Sequence, residues 1–249
     1  MIYVFCDFRI PEGMRQKLSI LGFAPLPVPR SELLSEAVCA HADLQAAAVG
    51  KKLVVQKALA QHYPFLYECE GVFVSDELTG AQYPEETRFC VKAVGDTLYH
   101  GRAVSRDVLR LAQDEGLSPC EVKQGYVACN LLVLDGGHAI TSDASLSRAL
   151  QARGVNVLTI REGYVSLPPY PYGFIGGASG VYDRSVYFLG DIMTHPDGGK
   201  IVDFIASCGM QAVCLGEGEL FDGGGLVFFS PDSATVIGEH AENDGKQGN

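Results

Sequence analysis

The feature that most limits what this chain can fold into is a bend that returns at a nearly constant interval. Five apolar runs are each interrupted by Gly, Asp or Pro: AAAVGKKLVV (46–55), FCVKAVGDTLY (89–99), LLVLDGGHAI (131–140), VYDRSVYFL (181–189) and LVFFSPDSATVI (226–237). Apolar runs bent by such residues read as β-hairpins. The bends fall near Gly50, Gly95, Gly136, Asp183 and Pro231, at separations of 45, 41, 47 and 48 residues. A period of that length points to one supersecondary unit used five times.

The intervals carry the same message. Each holds an amphipathic segment, a glycine stop and one further strand-like run. The predicted helices are 11–21, 57–68, 105–115, 144–153 and 197–208, the second interrupted by Pro64. Ser105 is placed to cap the third, and Gly22, Gly71, Gly116, Gly154 and Gly209 each sit where a helix C′ residue would. The strands that follow are FAPLPVP, VFVSDE, LSPCEVKQ, VNVLTI and MQAVCL. A short polar or glycine-rich loop then leads into each hairpin: 39–44, 83–87, 128–130, 176–179 and 222–225.

Such a ββαβ unit cannot bury its sheet and its helix alone, whereas five in a ring can. The expected fold is therefore an α/β, pseudo-fivefold, five-bladed ββαβ propeller with the helices outside. It would span 1–238 as one domain, leaving 239–249 as a polar tail. The N-terminal strand IYVFCD and a C-terminal strand ATVIGEH would close the ring within one blade. A doubly wound α/β sheet is the competing architecture, and the five hairpins argue against it.

Composition bounds the partners. The formal charge is −11 over 249 residues, which opposes binding to nucleic acid and to anionic membranes. No uninterrupted apolar run reaches the ~20 residues of a membrane span, and no secretory leader is evident. The eight cysteines lack CxxC spacing and read as reduced, which fits a cytoplasmic protein. No phosphate loop, dinucleotide fingerprint or zinc motif is present, so no cofactor and no metal are expected.

The five ββαβ units, the DGGGL at 222–226 and the HxD of His41 and Asp43 resemble the pentein superfamily of guanidino-group-modifying enzymes. Its members include arginine deiminase, agmatine deiminase, dimethylarginine dimethylaminohydrolase and amidinotransferases. The resemblance implies a small guanidine, amidine or amino-acid-like ligand held at an axial cup. It also implies a cysteine nucleophile at about position 228, a histidine acid/base and carboxylates that grip the guanidinium. Position 228 here is Phe, which can neither attack nor ionise. In the family the HxD lies in a later module, so it transfers by residue type and not by position.

If the five loops converge, they bring chemistry-bearing residues together. His41 and Cys129 are the candidate catalytic pair, as acid/base and nucleophile of a hydrolase. Asp43, Glu86, Asn130 and Asp222 are the candidate ligand-binding residues. Each also has a structural use, as a buried thiol, a turn cap or a solvated carboxylate. The alternative is a catalytically inactive ring that serves as a protein-interaction platform. The Pro/Tyr-rich segment 163–174 would be a flap over the ring or a plain rigid loop.

Overall fold

The computed structural model describes residues 1–231. It opens with strand β1 (Ile2–Asp7), helix α1 (Glu12–Ile20) and strand β2 (Phe23–Val28). The second module contains β3 (Ala46–Val49), β4 (Lys52–Gln56), α2 (Lys57–His62) and β5 (Val72–Ser75). The third contains β6 (Lys92–Val94), β7 (Thr97–His100), α3 (Arg106–Asp114) and β8 (Ser118–Glu121). A single-turn helix α4 (Val127–Asn130) leads into the fourth, with β9 (Leu131–Asp135), β10 (His138–Thr141), α5 (Ala144–Gln151) and β11 (Asn156–Thr159). The fifth contains β12 (Ser179–Tyr182), β13 (Ser185–Phe188), α6 (Gly198–Ser207) and β14 (Gln211–Cys214). Strand β15 (Val227–Phe229) is the last described element.

Five three-stranded sheets result. In each, the middle strand is antiparallel to its inner neighbour and parallel to the strand beyond the helix. A parallel pair needs a crossover, and the helix supplies it. The inner strands β15, β3, β6, β9 and β12 neighbour one another in cyclic order, which closes the ring. The expected five-bladed propeller is therefore present.

Closure is achieved differently from the expected hairpin at 226–237. Strand β15 itself pairs with β1, with Tyr3 opposite Phe229 and Phe5 opposite Val227. The inner strand of the first blade is thus the last described strand. The proposed strand at 234–240 and the tail at 239–249 lie outside the described residues.

The middle strand of each sheet is covered on both faces, which is why it reads as a continuous apolar run and not as an alternating one. Along β1, Val4 and Cys6 enter the seam shared with the fifth blade, while Phe5 enters the seam shared with the second. Comparable buried clusters fill the other three seams. A sixth, containing Leu34, Cys39, Leu44, Cys90 and Cys129, covers one end of the axis. Among the described residues, no helix is long and apolar enough to cross a membrane.

Local signals hold where nothing competes with them. The Ser105 hydroxyl accepts from the Val108 N–H at 3.3 Å, and Gly22, Gly116, Gly154 and Gly209 have positive φ. The predicted helix at 57–68 instead ends at His62, and a 3₁₀ turn follows over Pro64–Glu68. Pro64 offers no amide hydrogen to continue the ladder, so the helix stops one residue short of Tyr63. Gly71 is then no longer a helix stop and lacks a positive φ.

The glycine run 223–225 marks a crossing of backbones. Gly224 has φ +70°, and a Cβ there would lie 2.3 Å from the Cα of His41. By contrast, Gly22 has φ +93° with open space around it. Alanine at Gly22 should cost about 1–2 kcal/mol of left-handed strain. At Gly224 strain and collision add, so the loss should exceed about 3 kcal/mol. Denaturant unfolding of the two variants measures this difference. Equal losses would mean that the two backbones separate freely.

Candidate functional site

The loops that enter the inner strands meet at one end of the axis and are joined by main-chain hydrogen bonds. The Gly177 N–H donates to the Cys129 carbonyl at 2.9 Å. Gly223 and Gly225 both donate to the Gly177 carbonyl, and Asp43 N–H donates to the Gly224 carbonyl at 3.0 Å. The second loop joins through sulfur, with the Cys90 and Cys129 thiols 3.5 Å apart. Spacing this close leaves no volume for side chains at 176, 177 or 224. It therefore concentrates the side chains that do exist around a common point.

Four of the predicted residues meet there. His41 and Asp43 flank the first residue of a 3₁₀ turn, and both are buried. His41 Nδ1 lies 3.7 Å from Asp222 Oδ1 and 4.0 Å from Asp43 Oδ1, too far for hydrogen bonds in either case. His41 Nε2 and both carboxylate oxygens of Asp43 are buried without any hydrogen-bond partner. Cys129, in α4, completes the group. Its thiol is close enough to Asp43 to favour that carboxylate's charge, yet it makes no hydrogen bond of normal geometry to it.

Asp222 is held more firmly. Its Oδ1 accepts from Gly224 N–H and its Oδ2 from Phe174 N–H, both at 3.0 Å. The segment 163–174 does this positioning. It runs beside the fifth loop, with Ser166 bridged to Phe221, Ser166 N–H donating to Leu220 and Asp222 N–H donating to Ser166. Tyr170 reaches Ser35 at 3.3 Å, tying the same segment to the stretch that covers the axis.

The two other predicted ligand-binding residues are engaged elsewhere. Glu86 is buried and accepts from the Tyr126 hydroxyl. The Asn130 amide donates to the Tyr126 carbonyl at 3.2 Å, closing the single turn of α4. Tyr126 thus engages one oxygen of Glu86 and the amide of Asn130.

Burial sets the protonation of the cluster. Removal from water pushes Asp43 and Asp222 up to about 6, against attraction from His41 for Asp222. It pushes His41 down, with Asp222 and Asp7 opposing. It pushes the Cys129 thiol well up, and its neighbours Cys90 and Asp43 act in the same direction. At neutral pH the group is a pair of strained carboxylates beside a neutral imidazole and a protonated thiol.

Three further residues shape the site without a motif to announce them. Lys92 begins inner strand β6 and lines the axial channel with Asp43; burial lowers its pKa while Asp43 draws it up. This channel has a volume of about 130 Å³ and walls of small residues such as Ala46, Ala93, Gly95 and Gly180. Asp7 and Arg9 form an ion pair that lines a second cavity of about 190 Å³, which shares Asp222 with the cluster. The lone lysine inside the apolar run FCVKAV, and the Asp that ends buried β1, were the signals available in the sequence. Phe228 borders the same channel, and its ring packs against Phe23, Tyr187 and Tyr182 at ring distances of 4.9, 5.4 and 5.6 Å.

Several solved structures share this architecture. DDAH from Pseudomonas aeruginosa, complexed with citrulline, superposes with a TM-score of 0.53 at 10% identity, covering 85% of this chain and 91% of that one. The amidinotransferase SxtG from Microseira wollei gives 0.53 at 10% identity over 85% and 87% of the two chains. C. jejuni agmatine deiminase gives 0.52 at 6% identity over 86% and 87%. No curated protein sequence matches the chain. The fold is thus that of the penteins, and identity this low carries the fold alone. A family model matches residues 5–227, and the chain belongs to the corresponding family of unknown function, DUF6873.

Proposed function

We propose that the ring binds a small cationic amidine or guanidine, or an amino-acid-like ligand bearing such a group, at the end of the axial channel. The observation that carries this reading is the buried carboxylate of Asp43 with both oxygens unpartnered. A buried carboxylate left without donors costs several kcal/mol, so a stable fold that keeps one has a use for it. An amidine offers two parallel N–H donors and a positive charge, which suits a free carboxylate. Asp222 adds a second negative charge beside it and neutral His41 adds no repulsion, while burial weakens the opposing charge of Lys92 on the same wall. The channel volume of about 130 Å³ is close to the ~150 Å³ that holds a benzene molecule, so the charged end of a ligand fits.

Hydrolysis needs more than the cluster supplies. A guanidine carbon is a poor electrophile and calls for a thiolate. Cys129 is the thiol in place, but burial, Cys90, Asp43 and Asp222 all favour its neutral form. Two observations favour the second reading, a catalytically inactive ring acting as an interaction platform: this resting thiol, and Phe228 at the nucleophile position. Alkylation of Cys129 by a chloroacetamidine probe at pH 7 separates them. The binding reading expects labelling no faster than a free thiol, blocked by added methylguanidine. Labelling faster than a free thiol would instead indicate an activated nucleophile, and unblocked slow labelling would leave the platform.

Titration calorimetry with methylguanidine and agmatine tests the grip itself. The ligands stay charged throughout, so affinity should fall as pH drops through about 6, where Asp43 and Asp222 take up protons. An ordinary exposed carboxylate would hold its ligand down to pH ~4. Asp43→Asn should abolish binding. The same change should stabilise the ligand-free protein at pH 7, by about 1–3 kcal/mol. Its folded pKa lies above the unfolded value of 3.8, so ionisation opposes folding once pH rises into that window. The gain should accordingly shrink as pH falls from 7 toward 4. A variant that is less stable than the parent at pH 7 would mean that Asp43 is already satisfied within the fold.

A further inference from the structure

A second cluster of ligating side chains lies between the fourth and fifth blades, at the end of β9 remote from Cys129, where Asp135 also borders the axial channel. Asp135 ends β9 and His138 begins β10, on either side of the Gly136–Gly137 bend. Cys208 terminates α6, in the next blade. One ligand atom from each, a carboxylate oxygen, an imidazole nitrogen and a sulfur, lies within 4.8 Å of the other two. All three residues are half-buried, so the group is open to solvent without being loose.

The surroundings fix two of the three donors. Gly137 N–H donates to Asp135 Oδ1 at 2.7 Å, which aims the carboxylate across the bend. His138 Nδ1 sits 2.9 Å and 3.1 Å from the two Asp135 oxygens. The Phe204 ring, one turn before Cys208, meets the imidazole edge-on at a centroid distance of 6.0 Å. These contacts account for the Asp135–His138 pair as a hairpin device. They do not account for a thiol brought to it from another blade.

We propose that Asp135, His138 and Cys208 form a three-ligand site for a divalent transition metal of the zinc type. Thiolate and imidazole favour Zn²⁺, Co²⁺ or Ni²⁺ over Mg²⁺ or Ca²⁺, which prefer all-oxygen sets. Three protein ligands leave a fourth tetrahedral position to water. Binding replaces the His138–Asp135 hydrogen bond with two metal bonds, the neutral imidazole moving its proton from Nδ1 to Nε2, and releases the Cys208 proton to solvent. The thiol at rest is neutral, pushed up chiefly by burial and further by Asp135. A cation placed between the three groups reverses both influences. The donors are 3 and 70 residues apart in sequence, so no metal-motif spacing could reveal them. The metal would tie the hairpin of the fourth module to α6 in the fifth.

Titration of the full, reduced chain with CoCl₂ tests this directly. One equivalent should saturate a thiolate-to-cobalt charge-transfer band together with tetrahedral d–d absorption. ZnCl₂ should displace the cobalt and raise the melting temperature. Cys208→Ser should lose the charge-transfer band while keeping its circular dichroism. His138→Gln should weaken cobalt binding by more than about 10-fold. A band that persists unchanged in Cys208→Ser would place the metal on another of the cysteines and overturn the assignment. The absence of any band at excess cobalt would overturn it equally.

Discussion

The structure depends on main-chain groups of different blades lying in direct contact at one end of the axis. Five sheets can share a hub only if their entering loops pack closer than side chains allow. Residues 176, 177 and 224 are glycine for that reason, since a Cβ at each would fall within 2.5 Å of an atom of another loop. Gly177 is the knot, donating to Cys129 and accepting from both Gly223 and Gly225. These bonds link the third, fourth and fifth loops, and Asp43 N–H brings in the first. Seams filled with apolar side chains supply the bulk of the stabilisation, but they would be equally content at other angles. The hub contacts, which have a direction, fix the ring.

That same packing creates the chemistry of the site. Loops forced together exclude water, and any polar side chain they carry loses its solvation. Asp222 is compensated by two backbone N–H groups and remains well ordered. Asp43 receives nothing comparable and keeps both oxygens bare. The contrast between two carboxylates that both touch the His41 region is informative. One is built into the architecture and supplies charge at a fixed point. The other stands at the channel wall without such donors. An apolar residue at 43 would serve folding better, and a buried charge without partners is the kind of local conflict that functional sites retain.

The blades were legible because their signals are local. Bend residues, a capping Ser and glycine stops act within a few positions, and their period repeats along the chain. The pairing of β15 with β1 was not legible, because it joins strands from opposite ends of the described residues. For the site, the entering loops could be found from the same period, and His41, Asp43, Cys129 and Asp222 followed from residue type. Glu86 and Asn130 stand in equally suitable positions, yet Tyr126 claims both. Competition from a tyrosine 40 residues beyond Glu86 leaves no mark on spacing or composition. Lys92 was missed for the opposite reason: a lysine in a hairpin strand ordinarily points to water, and only ring closure turns that strand inward.

Phe228 shows how far the fold and the site are separable. Its ring lies among Phe23, Tyr182 and Tyr187, in the seam between the first and fifth blades. Replacing it with a cysteine would leave a cavity where four aromatic rings now meet, at a cost comparable to other large-to-small changes in a core, about 3–5 kcal/mol. The seam has thus adapted to an aromatic residue, and the position is committed to packing. A nucleophile, if this ring has one, must come from a loop whose side chain is not needed by a seam. Cys129 meets that condition, since it lies in the cluster that covers the end of the axis, outside the five seams, with Cys90 and the carboxylates of Asp43 and Asp222 near it. The scaffold therefore determines where reactive groups can gather. Which loops supply them is decided by which positions the seams leave free.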